Sequence, residues 1–146
     1  EEAWAFCGHL DPNRIEYLED LCADFADIAF VANRTGMPVA LDELLAQGKP
    51  WEPIPQLKAL VLKPTLLGSL ANSEALVARA RELKLKIIVS SCFESGVGLG
   101  QLARLAGEWA PDQAPGLDTR RWLARDLLDK QGQPDPGRMD PLFHRD

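Results

Sequence analysis

A chain of 146 residues is long enough for one buried core, and its net charge of −6 excludes the clustered basic surface that phosphate backbones require. Its uncharged apolar runs fall short of the roughly 20 residues that cross a bilayer, and its N-terminus lacks the charged and apolar regions of a signal peptide. A soluble, cytoplasmic protein is expected, with neither nucleic acid nor membrane as partner. Cys7, Cys22 and Cys92 are odd in number and far apart, so reduced packing thiols are expected rather than a disulfide framework or a zinc site.

Residues 1–10 read as the tail of a helix with no preceding strand. Four runs of strand character follow, each ending in a polar group: residues 15–18 end at Glu19, 38–41 at Asp42, 59–62 at Lys63 and 86–89 at Ser90. A weaker fifth, residues 114–118, brings Gly116 to the corresponding place. The run ending at Lys63 is aliphatic on both faces, as in a parallel sheet, and Pro64 stops it because it has no N–H to donate. The ends recur at a spacing of about 25 residues, which fits one strand, one covering helix and two short loops.

Between the strands, residues 22–34 carry an apolar face and stop at Gly36, and a helix capped by Asn72 or Ser73 runs on to Leu83. Residues 98–109 form a third helix with an apolar stripe, ended by Pro111. Residues 130–146, with Pro134, Pro136, Gly137 and Pro141, are expected to be an irregular, exposed tail. The pattern predicts a partial (β/α) barrel of about five βα units over residues 1–129, with a five-stranded open sheet as the alternative.

Parallel, adjacent strands would bring Glu19, Asp42 and Lys63 to one rim, followed by Ser90 and Ser91. Two carboxylates there suit a hard divalent cation such as Mg²⁺, and an ammonium beside them offsets charge on a substrate. The competing expectation is that Glu19 and Asp42 cap the helices that follow and Lys63 pairs with one of them. Gly96, Gly98 and Gly100 do not complete a dinucleotide fingerprint, since position 101 is Gln. Those glycines are expected to let backbone amides approach an anionic ligand at the start of the next helix.

Five segments in order carry a resemblance. They are Tyr17-Leu18-Glu19-Asp20, Ala40-Leu41-Asp42-Glu43, the run from Leu62-Lys63-Pro64-Thr65 to Gly68-Ser69-Leu70, Ser90-Ser91-Cys92-Phe93-Glu94-Ser95 with Gly98-Leu99-Gly100-Gln101-Leu102-Ala103, and Pro115-Gly116-Leu117-Asp118-Thr119. From about residue 14 to residue 119 the chain resembles the o-succinylbenzoate synthase family of the enolase superfamily, most closely its proteobacterial type.

The resemblance implies the C-terminal part of a modified barrel, and a lyase that dehydrates 2-succinyl-6-hydroxy-2,4-cyclohexadiene-1-carboxylate to 2-succinylbenzoate in menaquinone biosynthesis through a metal-stabilised enediolate. It implies Glu19 and Asp42 as Mg²⁺ ligands and Lys63 as the catalytic lysine that stabilises the anionic intermediate. Ser90 and Gly116 would contact the small-molecule carboxylate substrate at its succinyl end, partly through backbone amides, with Ser91 beside them.

The family's Glu-Glu-Pro is here Glu19-Asp20-Leu21, its Asp-Glu-Ser is Asp42-Glu43-Leu44, and Cys92 stands where Ser is common. Loss of the proline and serine is expected to loosen the loops that aim Glu19 and Asp42. The family's second-strand Lys-x-Lys and third-strand Asp have no counterpart in these residues, so the N-terminal part of the barrel and its capping domain are expected to lie outside the chain. The alternatives are an N-acylamino-acid racemase of the same superfamily, in which Lys63 is a base, and a non-catalytic partial-barrel protein.

Overall fold

In the computed structural model, residues 1–135 are described. After the short helix α1 (Glu2–Cys7) they alternate strand and helix: β1 (Leu18–Glu19), α2 (Phe25–Thr35), β2 (Val39–Leu41), α3 (Glu43–Ala46), β3 (Leu57–Leu62), α4 (Leu70–Glu82), β4 (Lys86–Val89) and α5 (Gly96–Trp109). The strands form one parallel sheet in the order β1-β2-β3-β4. Sequential order with crossovers of one hand puts every helix on the same face, which is the wall of a barrel; a doubly wound sheet requires the order to reverse.

The expected fifth strand does not form. Residues 114–118 contribute one parallel bridge, Ser90 with Gly116, and the ladder goes no further. Among the described residues the sheet therefore has four strands rather than five.

Side-chain alternation separates two apolar layers. Val39, Leu41, Leu60, Leu62, Ile87 and Val89 point to the helices and pack with Ile28, Val77 and Leu102, whereas Ala40, Ala59 and Val61 pack with Tyr17 and Ile88 on the opposite face. The second layer is built from small residues on the central strands, as the narrowing interior of a barrel requires. The continuous apolar character of β2 and β3, noted in the sequence, follows from burial on both faces.

Helix boundaries follow local chemistry. Gly36 closes α2 at φ 71°. The cap of α4 is Ser69, whose hydroxyl accepts from the Asn72 N–H at 3.2 Å, and neither Asn72 nor Ser73 fills that role. Asn72 instead donates from its side chain to the Leu67 carbonyl at 2.8 Å. Helix α2 begins at Phe25, three residues later than the apolar pattern implied, with Asp24 as its N-cap. Beyond α5 the backbone turns through residues 129–133 and makes an antiparallel bridge between Leu128 and Pro134. Residues 136–146, most of the expected tail, lie outside the described residues. No described helix is long and apolar enough to cross a membrane.

The edge strand β1 is two residues long and pairs only with β2 among the described residues. Trp4, Phe6 and Phe30 are exposed beside it on α1 and α2. Unpaired ladder groups next to apolar surface favour association. By light scattering, the 146-residue chain alone is expected to run as an oligomer or aggregate, and a monodisperse monomer that melts cooperatively would contradict this.

Candidate active site

All four strand ends meet at one rim. Parallel register sets Glu19 opposite Ala40 and Leu62 opposite Val89, so Glu19, Asp42, Lys63 and Ser90 stand at or just beyond the carboxyl ends of β1 to β4.

Asp42 and Lys63 form the centre. Asp42 is buried, 6% exposed, and its Oδ2 accepts from Lys63 Nζ at 2.6 Å. Lys63 also donates to Glu43 Oε1 at 2.6 Å. Burial pushes the Asp42 carboxyl up to about 6, against the pull of Lys63 and with the negative charges of Glu43 and Glu19 adding to the rise. Burial alone would lower the Lys63 ammonium, but hydrogen bonds and charge from Asp42 and Glu43 outweigh it and raise it to about 12. The hydrogen bond from Lys63 holds the Glu43 carboxyl below the ordinary range.

Of the two capping expectations, only the Lys63 pairing occurs. Asp42 is the N-cap of α3 but makes no side-chain capping bond, and α2 is entered through Asp24 rather than Glu19. Nothing in the sequence pattern marks Glu43 as Lys63's second partner, because its neighbour Asp42 already supplies a carboxylate at the rim. Nor does the pattern mark Asp20, whose Oδ1 and Oδ2 accept the backbone N–H groups of Asp42 at 3.0 Å and Leu44 at 2.9 Å. Two charge-assisted bonds hold the β2–α3 junction, so the loosening expected from the lost proline and serine is offset there.

Oxygen donors dominate the rim. Asp42 Oδ1 is buried without a hydrogen-bond partner, and a buried carboxylate oxygen in that state suits a hard cation. Glu19 is exposed at the neighbouring strand end. No cluster of three metal-ligating side chains occurs among the described residues. The two carboxylates thus fit a divalent ion as a partial ligand set.

Ser90 and Gly116 meet as expected, but their amides are not available to a substrate. Ser90 N–H donates to the Leu62 carbonyl at 2.8 Å and Gly116 N–H to the Val89 carbonyl at 2.9 Å, extending the sheet ladder. Ser90 covers the Cα of Gly116, where an added Cβ would come within 2.9 Å of Ser90 Oγ, and its hydroxyl donates to the Gly116 carbonyl at 3.3 Å, so any contact from these positions falls to the acceptor side of that hydroxyl. Ser91 is buried, with its hydroxyl bonded to the Gly116 carbonyl at 3.0 Å and to Thr119 Oγ1 at 3.0 Å. It ties residues 116–119 to the end of β4 and does not open onto the rim.

The glycine-rich start of α5 also differs from expectation. Gly96 N–H is taken by Asp126 Oδ1 at 2.7 Å and Gly98 N–H by Ser95 Oγ at 3.5 Å. A carboxylate from the chain itself holds the place assigned to an anionic ligand.

A parallel sheet in sequential order, helices on one face and charged groups at the strand ends together make a portion of a (β/α) barrel. The fold superposes with a TM-score of 0.72 on MenC from Desulfotalea psychrophila, at 21% identity over 88% of this chain and 38% of that one. It superposes at 0.67 on a mandelate racemase/muconate lactonizing protein from Herpetosiphon aurantiacus, at 22% identity over 89% of this chain and 40% of that one. No family model matches the sequence.

Curated homologues of the chain are o-succinylbenzoate synthases. That of Pasteurella multocida is 37% identical over 99% of this chain and 44% of the relative. That of Salmonella paratyphi B is 38% identical over 99% of this chain and 45% of the relative. The chain spans less than half the length of these relatives.

Proposed function

We propose that residues 1–129 supply part of the barrel of an Mg²⁺-dependent dehydratase that forms 2-succinylbenzoate in menaquinone biosynthesis. One observation carries this reading: a partly buried ammonium lies 2.6 Å from a buried carboxylate whose other oxygen has no hydrogen-bond partner, at the ends of adjacent parallel strands. Similarity to o-succinylbenzoate synthases over almost the whole chain supports it.

Asp42 and Glu19 would hold the cation, which when bound neutralises charge on the substrate carboxylate and so makes the α-proton easier to remove. Asp42 would offer Oδ1, which has no hydrogen-bond partner, while Oδ2 keeps Lys63 in place. Lys63 stays an ammonium throughout the neutral range and offsets the negative charge that develops on the substrate. An ammonium paired with Asp42 and Glu43 suits charge stabilisation in a dehydration, whereas a racemase mechanism requires Lys63 as base. Ser90 and Gly116 line the place for the succinyl group, and Ser91 secures it.

The protein expressed from its complete reading frame is expected to produce a new aromatic ultraviolet absorbance from the cyclohexadiene carboxylate when Mg²⁺ is present. Loss of optical rotation in an N-acylamino acid, with no aromatic product, would replace this assignment by the racemase. Absence of both activities would favour the non-catalytic barrel.

A further inference from the structure

Resting on the proposed cation site, we infer that Asp20 is a positioning residue that frees the Asp42 carboxylate for that site. An aspartate at a helix N-cap ordinarily turns its carboxylate back onto the N2 or N3 backbone N–H. Asp42 is the N-cap of α3, yet it makes no such bond. The N2 position is Leu44, and its N–H is already taken by Asp20 Oδ2 at 2.9 Å, while Asp20 Oδ1 takes the N–H of Asp42 itself at 3.0 Å. Asp20 therefore caps α3 from the neighbouring strand.

Backbone geometry makes the reach possible. Asp20 lies at φ 38°, in the left-handed region that aspartate tolerates better than most residues, and its own N–H donates to the Ala40 carbonyl at 3.1 Å. That bond fixes its backbone against β2, and the left-handed turn sends the side chain across to the end of the same strand. With its capping duty removed, Asp42 directs Oδ2 to Lys63 and leaves Oδ1 without a hydrogen-bond partner. Asp20 bonds to the backbone of Asp42 and Leu44 and acts on the site through Asp42.

The test uses Asp20→Gly and Asp20→Asn in the protein expressed from its complete reading frame. Glycine accepts the positive φ without strain and removes both acceptors, while asparagine keeps the conformation and one acceptor oxygen. Crystal structures of the variants, Mn²⁺ affinity by electron paramagnetic resonance and melting temperature are measured together. In Asp20→Gly the Asp42 carboxylate is expected to rotate onto the Leu44 N–H and leave Lys63 paired with Glu43, and Mn²⁺ affinity to fall about 10- to 100-fold. Asp20→Asn is expected to recover part of that affinity.

An Asp20→Gly protein in which Asp42 keeps its contact with Lys63 would overturn the inference, even with a lowered melting temperature, because a merely structural role predicts that result. Wild-type affinity for Mn²⁺ in the same variant would overturn it as well. If wild type binds no Mn²⁺ but Asp42 still rotates in the variant, the cation reading fails and the positioning role stands.

Discussion

In the protein expressed from its complete reading frame, Asp42→Asn is expected to abolish most of the proposed turnover and most Mg²⁺ affinity while leaving the fold intact. The two side chains have nearly the same shape, so the packing at the end of β2 is kept and only the charge is lost. Removing a direct oxygen ligand should exceed the roughly 10- to 100-fold loss of affinity seen when a supporting partner is removed. Stability moves the other way. The folded-state pKa of Asp42 is raised by burial to about 6, so the folded protein binds this proton more tightly than the unfolded chain. Stability from this group therefore falls as pH rises from the ordinary carboxylate range through about 6. Asn has no proton to lose, and denaturant melts without added metal should show that pH dependence flattened in the variant. Ordinary activity at low Mg²⁺ would sink the ligand assignment.

Lys63→Ala is expected to lower kcat by about 100- to 1000-fold, the effect of losing roughly 3 to 4 kcal/mol from one charge-stabilising donor. Lys63→Arg keeps the charge but changes its shape, and it should retain measurable dehydration. The contrast separates two roles, because a lysine acting as base fails alike in both variants. Solvent deuterium separates them further: a base on this face washes deuterium into the substrate or a racemisable analogue, and Lys63→Arg stops it. Exchange in wild type that disappears in the Arg variant would overturn the electrostatic role. The Ala variant also strips Asp42 of its buried counter-ion, so the Asp42 carboxyl should move above its present value of about 6. Carbon NMR of the carboxyl group would show it.

The repeat and the rim were legible in the residues alone. Strand ends about 25 residues apart are legible because a buried parallel strand is an uninterrupted apolar run, and whatever polar residue ends it marks the functional edge. Asp42, Lys63 and Ser90 were found that way, and the structure sets them at neighbouring strand ends. Gly36 was legible as a stop for the same local reason, since a left-handed helix end favours glycine. What the tertiary structure decided is every pairing that spans two βα units. Asp20 reaches across 22 positions to the Asp42 N–H, Asp126 crosses 30 to Gly96, and the Ser91 hydroxyl crosses 28 to Thr119. None of these has a local signature, because a carboxylate or hydroxyl satisfies whichever N–H or O–H the packed chain brings within reach. The fifth strand failed for a related reason: a strand exists only through a partner ladder, and residues 114–118 make a single bridge, at Gly116.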